Sequence, residues 1–464
     1  MKKLRIIEVS AADVGGGAER VCLNLTEAFR KKGHECILVA GKKQTRESWI
    51  FEARFIEQER LKGRIKETLR KGIVLFPKRA RLLWLALRRP KSFLDVLRGR
   101  EDFNFPWTER LYKVAAFAPD ILHLHNLHGG YFDLRALPSL SKKVPTVLTV
   151  HDQWLFTGHC AHSLECNKWR TGCGNCPDLS RYPAIKKDAT AFNWKRKKLI
   201  YERSRLYVST PSKWLLDMIR ESILSPAVVE AKVIPNGVDL RTFSPGDKMG
   251  ERLRLGWAPE ESVVLLCGRK IGRSPWRDLD TTRKGLELVS RSWQKCPVKV
   301  VVLGDEGPSS RWGNVELFFE PFKDKPSEVA SFLRAADIFF HPSKADTSPN
   351  VVVEAMACRI PVVATAVGGI PELVKGLKWD GHPAHEPSYG REDSTGLLVR
   401  PQDPEAVARA ITLLLADAEL RADLGKNGTV EARRSFDLEK QVGKYLSWFD
   451  EILGSKTAGP IKYE

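Results

Sequence analysis

Short apolar runs alternate with helical patterns along most of this chain, and that alternation restricts its fold more than any other feature. The first cycle consists of an apolar strand at Leu4–Val9, three glycines at 15–17 and a helix at Ala18–Lys32. Strands that alternate with helices predict a parallel sheet covered on both faces. The other strands predicted for this sheet are Cys36–Ala40, Ile121–Leu124 and Thr146–Val150.

A second alternation begins near Val233 and predicts a second domain of the same type. Its strands are predicted at Val263–Leu266, Val298–Leu303, Ile338–His341, Pro361–Ala364 and Gly396–Val399, and its helices at Ser327–Ala336, Asn350–Cys358 and Asp403–Leu415. A chain of 464 residues is long enough for two or three domains. We therefore predict an α/β protein with two Rossmann-like, doubly wound domains at residues 1–225 and 226–437. A final helix within 438–464 is expected to return to the first domain.

A strongly basic insertion at residues 42–118 interrupts the first domain. Residues 42–100 hold 18 Lys or Arg and 6 Asp or Glu, which gives them +12 of the formal net charge of +19. Within this stretch, the apolar run Leu82–Leu87 is flanked by arginines and stops before Pro90. A basic, partly apolar helix of this type can lie on an anionic membrane surface. The alternative is a helix that packs its Leu and Trp side chains on its own domain and exposes its arginines to water.

The amino terminus and the cysteine content predict a cytoplasmic protein, with a peripheral position on the inner face of the cytoplasmic membrane as an open possibility. Glu8 interrupts the first apolar run too early for a signal peptide. No apolar run approaches the ~20 residues of a spanning helix. Nine cysteines in a chain without an export signal are expected as reduced thiols or metal ligands rather than as disulfides.

Four of the cysteines lie close together in a Cys-rich segment at 151–183, namely Cys160, Cys166, Cys173 and Cys176. The final pair has C-x2-C spacing and resembles a zinc knuckle, in which glycine lets backbone N–H groups turn toward the thiolates. The segment has few apolar residues, so a metal would supply the missing folding energy. We predict a structural zinc site here. An iron–sulfur cluster would use the same thiolates, and free or disulfide-linked cysteines are the remaining alternative.

Cationic side chains accompany the strand and helix predicted at the start of the second domain. Arg269 follows the strand that ends at Cys267, and Lys284 is expected to open the next helix. The carboxyl ends of parallel strands face the crevice in which α/β proteins bind ligands. Arginine and lysine both suit phosphate oxygens, and fixed cations stabilise the charge that develops on a departing nucleotide diphosphate.

Two acidic residues occur in the strand-loop-helix-strand stretch 341–372. Asp346 lies in the loop before the helix, and Glu354 lies one turn inside it. Ser348 and Asn350 mark the start of this helix, which is a ready anion-binding site. A carboxylate one turn inside the helix can accept hydrogen bonds from ribose hydroxyls.

Taken together, these motifs resemble the retaining GT-B glycosyltransferases of glycosyltransferase family 4, in which two such domains face each other across a cleft. The family carries two acids with E-x7-E spacing in this same context. The flanking signatures are Gly-Gly-Ala-Glu-Arg at 16–20, Pro235–Asp239, Gly268-Arg269, Arg283-Lys284-Gly285 and Gly368–Glu372. The segment that begins with His151-Asp-Gln-Trp and contains the four cysteines resembles bacterial members that build exopolysaccharides or other surface glycans.

The resemblance implies a donor site in the second domain. By this likeness Arg269 and Lys284 hold the donor diphosphate, Glu354 binds the ribose and Asp346 lies near the transferred sugar. The sequence departs from the family pattern in having Asp rather than Glu at 346. It also has Arg359 where the family has glycine, and this change is expected to alter the local turn or to add a donor contact.

The resemblance also implies the reaction and the role of the first domain. Gly16 and Gly17 match a loop that closes over the donor, and His151 matches a histidine that faces the sugar and the acceptor. The implied reaction moves a sugar from a UDP- or GDP-sugar to a glycan or lipid-linked acceptor. It proceeds with retention, by front-face attack in which the leaving phosphate aids deprotonation, and it needs no metal.

Three further histidines follow the strand predicted at Ile121–Leu124, namely His123, His125 and His128. Their position after a strand, like that of His151, would allow them to point into the cleft between the domains. Two histidines with i,i+2 spacing also suggest a metal, although no third ligand is evident nearby. For these three we expect buried structural hydrogen bonding, whereas for His151 we expect a functional role.

Two other classes of function compete with a glycosyltransferase. A non-hydrolysing sugar-nucleotide epimerase has the same architecture, but its motifs differ from those found here. A basic nucleic-acid-binding protein is the non-enzymatic alternative. The chain has no RRM, KH, helix-turn-helix or zinc-finger signature and concentrates its charge in one insertion. We therefore expect no nucleic-acid partner.

Overall fold

The computed structural model of the chain describes residues 2–53, 90–454 and 462–463. Its contacts divide the chain into two compact units. The first unit contains Met1–Pro211, Leu215–Ile234 and Lys444–Glu464, and the second contains Ser212–Trp214 and Pro235–Gly443. Most of the basic insertion, including the apolar run Leu82–Leu87, lies outside the described residues.

The first unit is built on an eight-stranded sheet in which every described pair of neighbouring strands is parallel. Its strands are β1 (Arg5–Ala12), β2 (Glu35–Lys42), β3 (Ile50–Glu52), β4 (Ile121–His125), β5 (Thr146–Thr149), β6 (Leu206–Thr210), β7 (Val228–Val233) and β17 (Lys462–Tyr463). They are arranged in the order β17-β7-β6-β5-β4-β1-β2-β3.

The α-helices that contribute to this unit are α1 (Gly17–Lys31), α2 (Pro90–Leu97), α3 (Leu137–Lys143), α4 (Lys168–Thr171), α5 (Thr190–Tyr201), α6 (Lys213–Arg220) and α14 (Leu438–Gly454). Short 3-10 helices lie at Pro106–Lys113, Leu134–Ala136, Trp154–Phe156 and Ser225–Ala227. Helix α1 ends where Gly33 adopts a left-handed φ of 89°. This conformation carries no Cβ penalty in glycine and closes many helices.

The second unit is built on a nine-stranded sheet that is parallel except for its antiparallel β10–β11 pair. Its strands are β8 (Ser262–Cys267), β9 (Val298–Leu303), β10 (Ser310–Trp312), β11 (Val315–Glu320), β12 (Ile338–His341), β13 (Val362–Thr365), β14 (Gly376–Leu377), β15 (Ser388–Tyr389) and β16 (Gly396–Val399). They are arranged in the order β10-β11-β9-β8-β12-β13-β16-β14-β15.

The α-helices of this unit are α7 (Lys248–Leu255), α8 (Leu279–Ser292), α9 (Pro326–Ala335), α10 (Asn350–Ala357), α11 (Ile370–Leu373), α12 (Pro404–Ala416) and α13 (Ala418–Ser435), with a 3-10 helix at Ile271–Arg273. Helix α12 starts as its sequence predicts. Pro404 is its first residue, and the Asp403 side chain accepts a hydrogen bond from the backbone N–H of Ala406. This cap satisfies one of the donors that a helix start leaves unpaired.

Side chains of successive residues in β8 enter different cores, as the pleat of a strand requires. Val263 and Leu265 belong to one buried cluster, and Val264 and Leu266 belong to another. The sheet is therefore covered by apolar side chains on both faces, which confirms the predicted doubly wound α/β architecture.

In each sheet the strand order reverses beside its first strand. Strand β1 lies between β2 and β4, and strand β8 lies between β9 and β12. Ligands of open α/β sheets bind in the crevice outside the carboxyl ends of the strands at such a switch point. In the first unit, the loops after β1 and β4 border this crevice. In the second unit, the loops after β8 and β12 border it.

The sequence-based division at residue 225 is displaced from the division in the structure. Strand β7 pairs in parallel with β6 and therefore extends the first sheet to Val233. Residues from Lys444 onward also belong to the first unit. These groupings depend on pairing between distant segments, which local patterns do not encode.

Candidate functional site in two strand-end crevices

Arg269 follows β8 directly and is exposed at the switch point of the second sheet. The backbone N–H of the preceding Gly268 donates to the carbonyl of Leu303, which fixes this turn to the neighbouring strand β9. The guanidinium of Arg269 lies 5.4 Å from the centre of the Phe322 ring. The structure therefore presents a cation to solvent at the edge where a ligand of this sheet would bind.

Lys284 lies inside helix α8 rather than at its start, so the predicted helix boundary is wrong. Asp278 caps this helix by accepting a hydrogen bond from the N–H of Thr281, and the first helical residue is Leu279. The Lys284 side chain is exposed. The adjacent Gly285 has a packing role, because an added Cβ would lie 2.8 Å from a methyl group of Val407.

The carboxylate of Asp346 is held by side chains from two other segments. The Arg277 guanidinium donates to Asp346 Oδ2 at 2.8 Å, and His341 Nε2 lies 3.3 Å from the same oxygen. Arg277 also contacts His341 and the hydroxyl of Ser343. Burial raises the pKa of Asp346, but Arg277 and His341 outweigh this and hold the pKa well below its ordinary range. Asp346 is therefore an anion at every physiological pH.

Arg277 was not singled out by the sequence analysis, because it lies 69 residues from Asp346. A short antiparallel bridge pairs Arg277 with Ser343. Two flanking bonds extend it: Asp278 N–H donates to the Pro342 carbonyl, and Lys344 N–H donates to the Trp276 carbonyl. This pairing places the Arg277 guanidinium beside Asp346.

The amino terminus of α10 is joined to the 235–239 signature by a side-chain contact. Asn236 Nδ2 donates to Asn350 Oδ1 at 3.0 Å and to the Ser348 carbonyl at 3.4 Å. Glu354 lies one turn further along and is half-buried. Burial and, to a smaller extent, the nearby Glu354 carboxylate raise the pKa of the Cys267 thiol to about 12, against the opposing effect of Arg277. The ends of β8 and α10 therefore share one electrostatic environment.

The Gly-Gly turn after β13 is explained by close backbone packing. Gly368 has a left-handed φ of 60°, and a Cβ there would lie 1.9 Å from the carbonyl oxygen of Asp346. A Cβ on Gly369 would lie 2.0 Å from the carbonyl oxygen of Thr347. A side chain at either position would displace the loop that carries Asp346.

Arg359 adopts the backbone conformation that glycine would provide. Its φ is 68°, in the left-handed region, directly after α10 ends. An L-residue in this region costs about 1–2 kcal/mol, which a glycine would avoid. The Arg359 side chain is exposed.

Gly16 and Gly17 form the exposed start of α1 at the switch point of the first sheet. Gly16 is the N-cap residue, and no side chain caps this helix. A Cβ on Gly17 would meet nothing within 4 Å, so packing does not require a glycine there. The structure thus leaves backbone donors at the positive end of a 15-residue helix accessible.

A buried polar cluster lies beneath this crevice, built around Glu8 of β1. Glu8 Oε1 lies 2.9 Å from His123 Nδ1, and Glu8 Oε2 lies 3.0 Å from His125 Nε2. Because β1 pairs with β4 and side chains alternate along a strand, all three project on the same face of the sheet. His123 and His125 are fully buried within the first unit, which confirms for both the expected structural hydrogen bonding rather than a position facing a cleft.

His151 is joined to this cluster through His125. His125 Nδ1 lies 3.0 Å from His151 Nε2. If the Glu8 carboxylate accepts the His125 Nε2–H, the His125 Nδ1 lone pair must accept the His151 Nε2–H. The Nδ1 of His151 then carries a lone pair. Burial lowers the pKa of His151 to about 4, so this imidazole is neutral at physiological pH.

His128 takes part in a separate ion pair at the same edge. Its Nε2 lies 2.9 Å from Asp152 Oδ2. Burial lowers the pKa of His128, but the Asp152 carboxylate outweighs it and raises that pKa above its usual value. The other Asp152 oxygen accepts the backbone N–H of Trp154, which fixes the start of the 3-10 turn.

Among the described residues, the closest group of potential metal ligands is Glu8, Cys22 and His125, whose donor atoms lie within 4.8 Å of one another. The sequence analysis missed it because Glu8 lies 117 residues from His125. Glu8 is already engaged with both histidines and with the Cys22 thiol at 3.7 Å. We interpret the group as a hydrogen-bonded core cluster.

The four clustered cysteines are brought together around one cavity in the first unit, and none is in a disulfide. They share this cavity with His159, Lys168 and Arg181.

Acidification from about pH 6.5 to 4 is expected to destabilise the first unit through its neutral buried histidines. Burial lowers the folded pKa of His123 and His125 to about 3 and that of His151 to about 4. The unfolded chain binds these protons near pH 6.5, so stability is lost as pH falls below that value. Each histidine contributes a slope of up to about 1.4 kcal/mol per pH unit. Glu8, with a raised pKa, opposes this loss.

Denaturant unfolding at several pH values measures this slope. His123→Gln should reduce the slope of the unfolding free energy against pH by the contribution of about one proton. His385→Asn, at a side chain that is 69% exposed, should leave this slope unchanged. A wild-type stability that does not vary between pH 7 and 4.5 would contradict the prediction.

Comparison with known proteins identifies the family to which this chain belongs. Residues 15–242 match the family model Glycosyltransferase Family 4, and residues 281–431 match the model Glycosyl transferases group 1. A D-inositol 3-phosphate glycosyltransferase of Mycobacterium marinum is 30% identical over 383 residues, which cover 78% of this chain and 72% of that protein. The putative colanic acid biosynthesis glycosyl transferase WcaC of Escherichia coli is 28% identical over 55% of this chain and 62% of its own length.

Solved structures share the fold at lower identity. Sucrose-phosphate synthase from Thermosynechococcus elongatus superposes with a TM-score of 0.62 at 20% identity, covering 97% of this chain and 99% of that one. The lipopolysaccharide glycosyltransferase WaaG gives 0.58 at 15% identity, covering 97% and 100%. Anabaena HepE, in complex with UDP and glucose, gives 0.57 at 17% identity, covering 96% and 99%. These likenesses confirm the expected two-domain GT-B fold. The two family matches and the glycosyltransferase relatives favour a glycosyltransferase over an epimerase. The chain therefore belongs to the GT-B glycosyltransferases that join a family 4 amino-terminal domain to a group 1 carboxy-terminal domain.

Proposed function

We propose that this chain transfers a sugar from a UDP- or GDP-sugar to a glycan or lipid-linked acceptor, with retention of the anomeric configuration. The observation that carries the proposal is the polar edge of the second sheet. Arg269, the start of α10 and the Asp346 carboxylate lie together at loops that follow β8 and β12, beside the switch point.

In this proposal the second unit binds the donor. Arg269 and Lys284 hold the diphosphate, and their exposed side chains are accessible to a ligand. Ser348 and Asn350 at the start of α10 add the positive end of a helix dipole. A nucleotide diphosphate gains negative charge as the glycosidic bond breaks, so these fixed charges stabilise the transition state more than the bound substrate. Glu354 accepts hydrogen bonds from the ribose hydroxyls.

We assign Asp346 to the transferred sugar, together with Arg277. Asp346 has one methylene fewer than the family's glutamate, and one of its oxygens is shared by Arg277 and His341. The second oxygen, Oδ1, remains the hydrogen-bond acceptor for a sugar hydroxyl. Arg277 keeps this carboxylate charged and oriented.

The first unit supplies the acceptor side in this proposal. Gly16 and Gly17 offer backbone donors to an anionic group, and His151 orients the reacting hydroxyls. A neutral imidazole with a pKa of about 4 is a weak base at physiological pH. We therefore assign His151 a hydrogen-bonding role and leave the acceptor proton to the departing phosphate. No metal is required for this route.

We place the reaction in surface polysaccharide biosynthesis. The support is the WcaC relative, which is described as a putative colanic acid biosynthesis enzyme. The resemblance of the segment that begins at His151 to surface-glycan enzymes points the same way.

Thermal unfolding with nucleotides, followed by a donor screen, tests this function. UDP or GDP should stabilise the protein by about 2.7 kcal/mol at 100 times its Kd. The matching nucleotide sugar should be hydrolysed slowly alone and consumed faster with acceptor, and NMR should show the donor's anomeric configuration in the product. Stabilisation by oligonucleotides but not by nucleotides, or epimerisation of the free donor, would overturn the proposal.

We also propose peripheral binding to anionic membranes through residues 62–100, on the basis of the basic, Leu- and Trp-containing sequence. Among the described helices, none is long and apolar enough to cross a bilayer. Each basic residue near the surface should contribute roughly 1 kcal/mol, an attraction that weakens with salt.

Flotation with phosphatidylglycerol vesicles checks this second proposal. Replacing Arg79, Arg81, Arg88 and Arg89 by glutamine should abolish co-flotation at physiological salt. The matched control neutralises four exposed basic residues of the second unit, among them Lys426, and should float like the wild type. Equal flotation of the wild type and the first variant would refute membrane binding by this segment.

A further inference from the structure

The cysteine cavity in the first unit has the composition of a metal site. Cys160, Cys166, Cys173 and Cys176 line one cavity that is partly open to solvent. They come from a segment of 17 residues whose regular structure is the single turn α4. Such a segment has little apolar packing of its own to hold its four thiols around one space.

The chain turns sharply on both sides of Cys173. Gly172 and Gly174 have φ values of 135° and 144°, and Asn175 has a φ of 44°. Glycine and asparagine adopt positive φ most readily, so these residues allow the turn that leads to Cys176. Lys168 Nζ braces this turn by donating to the carbonyls of Gly174 and Asn175 at 3.1 and 2.6 Å.

Basic side chains lie around the cavity. Lys168 and Arg181 line it. A divalent cation with four thiolates carries a net charge of −2. Lys168 offsets part of this charge, whereas Arg181 is already paired with Asp178.

A hydrogen bond fixes the chain at the first of the four cysteines. The Thr157 hydroxyl donates to the backbone carbonyl of Cys160 at 2.6 Å. Zinc binds thiolates, so a bound metal would displace the thiol protons.

His159 lies beside the cluster with its ring already oriented. Its Nδ1 is 3.0 Å from the carbonyl of Pro183, so Nδ1 carries the proton and donates it. The unprotonated Nε2 and the carbonyl of Asp178 each lie 3.5 Å from Cys176 Sγ and are the two acceptors within reach of its thiol hydrogen. A metal that removes the thiol proton would release this contact.

We propose that Cys160, Cys166, Cys173 and Cys176 bind one zinc ion in a closed, tetrahedral structural site. Among the described residues, no three of these sulfur atoms approach one another as closely as the donors of the Glu8 group. Zinc binding must therefore draw the sulfurs inward to Zn–S distances of about 2.3 Å. Protonated thiols lack such a driving force. The inference does not depend on the proposed transfer reaction.

The zinc site fixes the segment that follows His151. Gln153 N–H donates to the Ala161 carbonyl, and Ala161 N–H donates to the Tyr182 carbonyl, both at 2.8 Å. Lys197 Nζ donates to the carbonyls of Trp154 and Thr157. Loss of the metal is therefore expected to loosen the loop that carries the His151 and Asp152 side chains.

Elemental analysis of the full-length protein, purified without added metal, tests the site. About one zinc per chain is expected in the wild type and in the control Cys296→Ser, whose cysteine lies in the second unit. Cys173→Ser and Cys166→Ser should each retain less than roughly a tenth of that zinc. His159→Gln should retain it.

Two measurements on the unmodified wild type keep the test valid if a cysteine variant fails to fold. A mercurial reagent should release the zinc as four thiols react, and cobalt substituted for zinc should show the absorption bands of tetrahedral S4 ligation. Iron with labile sulfide would assign the thiolates to a cluster and overturn the proposal. Absence of both metals with four alkylatable native thiols would also overturn it, as would loss of zinc in His159→Gln with retention in Cys166→Ser.

Discussion

Replacing Lys284 or Glu354 by alanine should lower kcat/KM with the identified donor by roughly 10²–10³, without unfolding the protein. Lys284 is exposed on α8, and Glu354 is half-buried on α10. Alanine is the best helix former, so neither change weakens its helix. The expected loss arises because each side chain is assigned to the donor, one to the diphosphate and the other to the ribose.

The two variants are distinguished by the step they affect. Lys284→Ala should reduce kcat, because the diphosphate gains charge only as the bond breaks. Glu354→Ala should mainly raise KM, because a ribose contact is made equally in the ground state. Lys426→Ala, at an exposed lysine of α13, is the matched control and should leave both constants unchanged. Near-wild-type kcat/KM in either test variant would remove that residue from the donor site.

Replacing Arg277 by leucine should lower the free energy of unfolding by about 3–5 kcal/mol at pH 7. The Arg277 and Asp346 side chains are 17% and 20% exposed and lie 2.8 Å apart. Removal of the guanidinium leaves a mostly buried carboxylate beside His341 with no cation to balance its charge. The double variant Arg277→Leu/Asp346→Asn should recover much of the loss, because it no longer buries an uncompensated charge.

The pH dependence separates this effect from lost packing. In the wild type the depressed pKa of Asp346 gives stability that is present above the unfolded pKa and lost as pH falls through the folded pKa. In Arg277→Leu the Asp346 carboxyl takes up a proton more readily. The loss of unfolding free energy relative to the wild type should therefore become smaller below about pH 4. Arg254→Leu removes a comparable pair at an arginine that is 58% exposed and should cost under about 1 kcal/mol. If Arg277→Leu lost as little unfolding free energy as Arg254→Leu, or lost the same amount at low pH as at pH 7, Arg277 would not be the residue that compensates the Asp346 charge.

Elements with a strong local signal were predicted from the sequence almost to the residue. Strands β9, β12 and β16 have the predicted bounds, since each is a short apolar run between turn residues. Helix α12 begins at its predicted Asp-Pro cap. Strand periodicity and helix capping involve residues a few positions apart, so the sequence carries them directly.

Helix α8 shows where local reasoning failed. The Arg-Lys-Gly motif drew the predicted start to Arg283, whereas the Asp278 cap starts the helix at Leu279. The signal was present, because Asp278 precedes the helix by one residue and accepts the N–H of Thr281. A ligand-binding motif and a helix start are set by different forces, and here they do not coincide.

The chain's sequence by itself determined the α/β class, the two-domain repeat and the residue types available at the strand ends. Only the tertiary structure decided which of these residues meet. Arg277 reaches Asp346 through a bridge between segments 69 residues apart, and Glu8 reaches His125 across 117 residues. Both contacts depend on which strands lie beside each other in the sheets. That order is set by the burial of whole faces rather than by any local pattern, which is why these two buried pairs appear only in the folded chain.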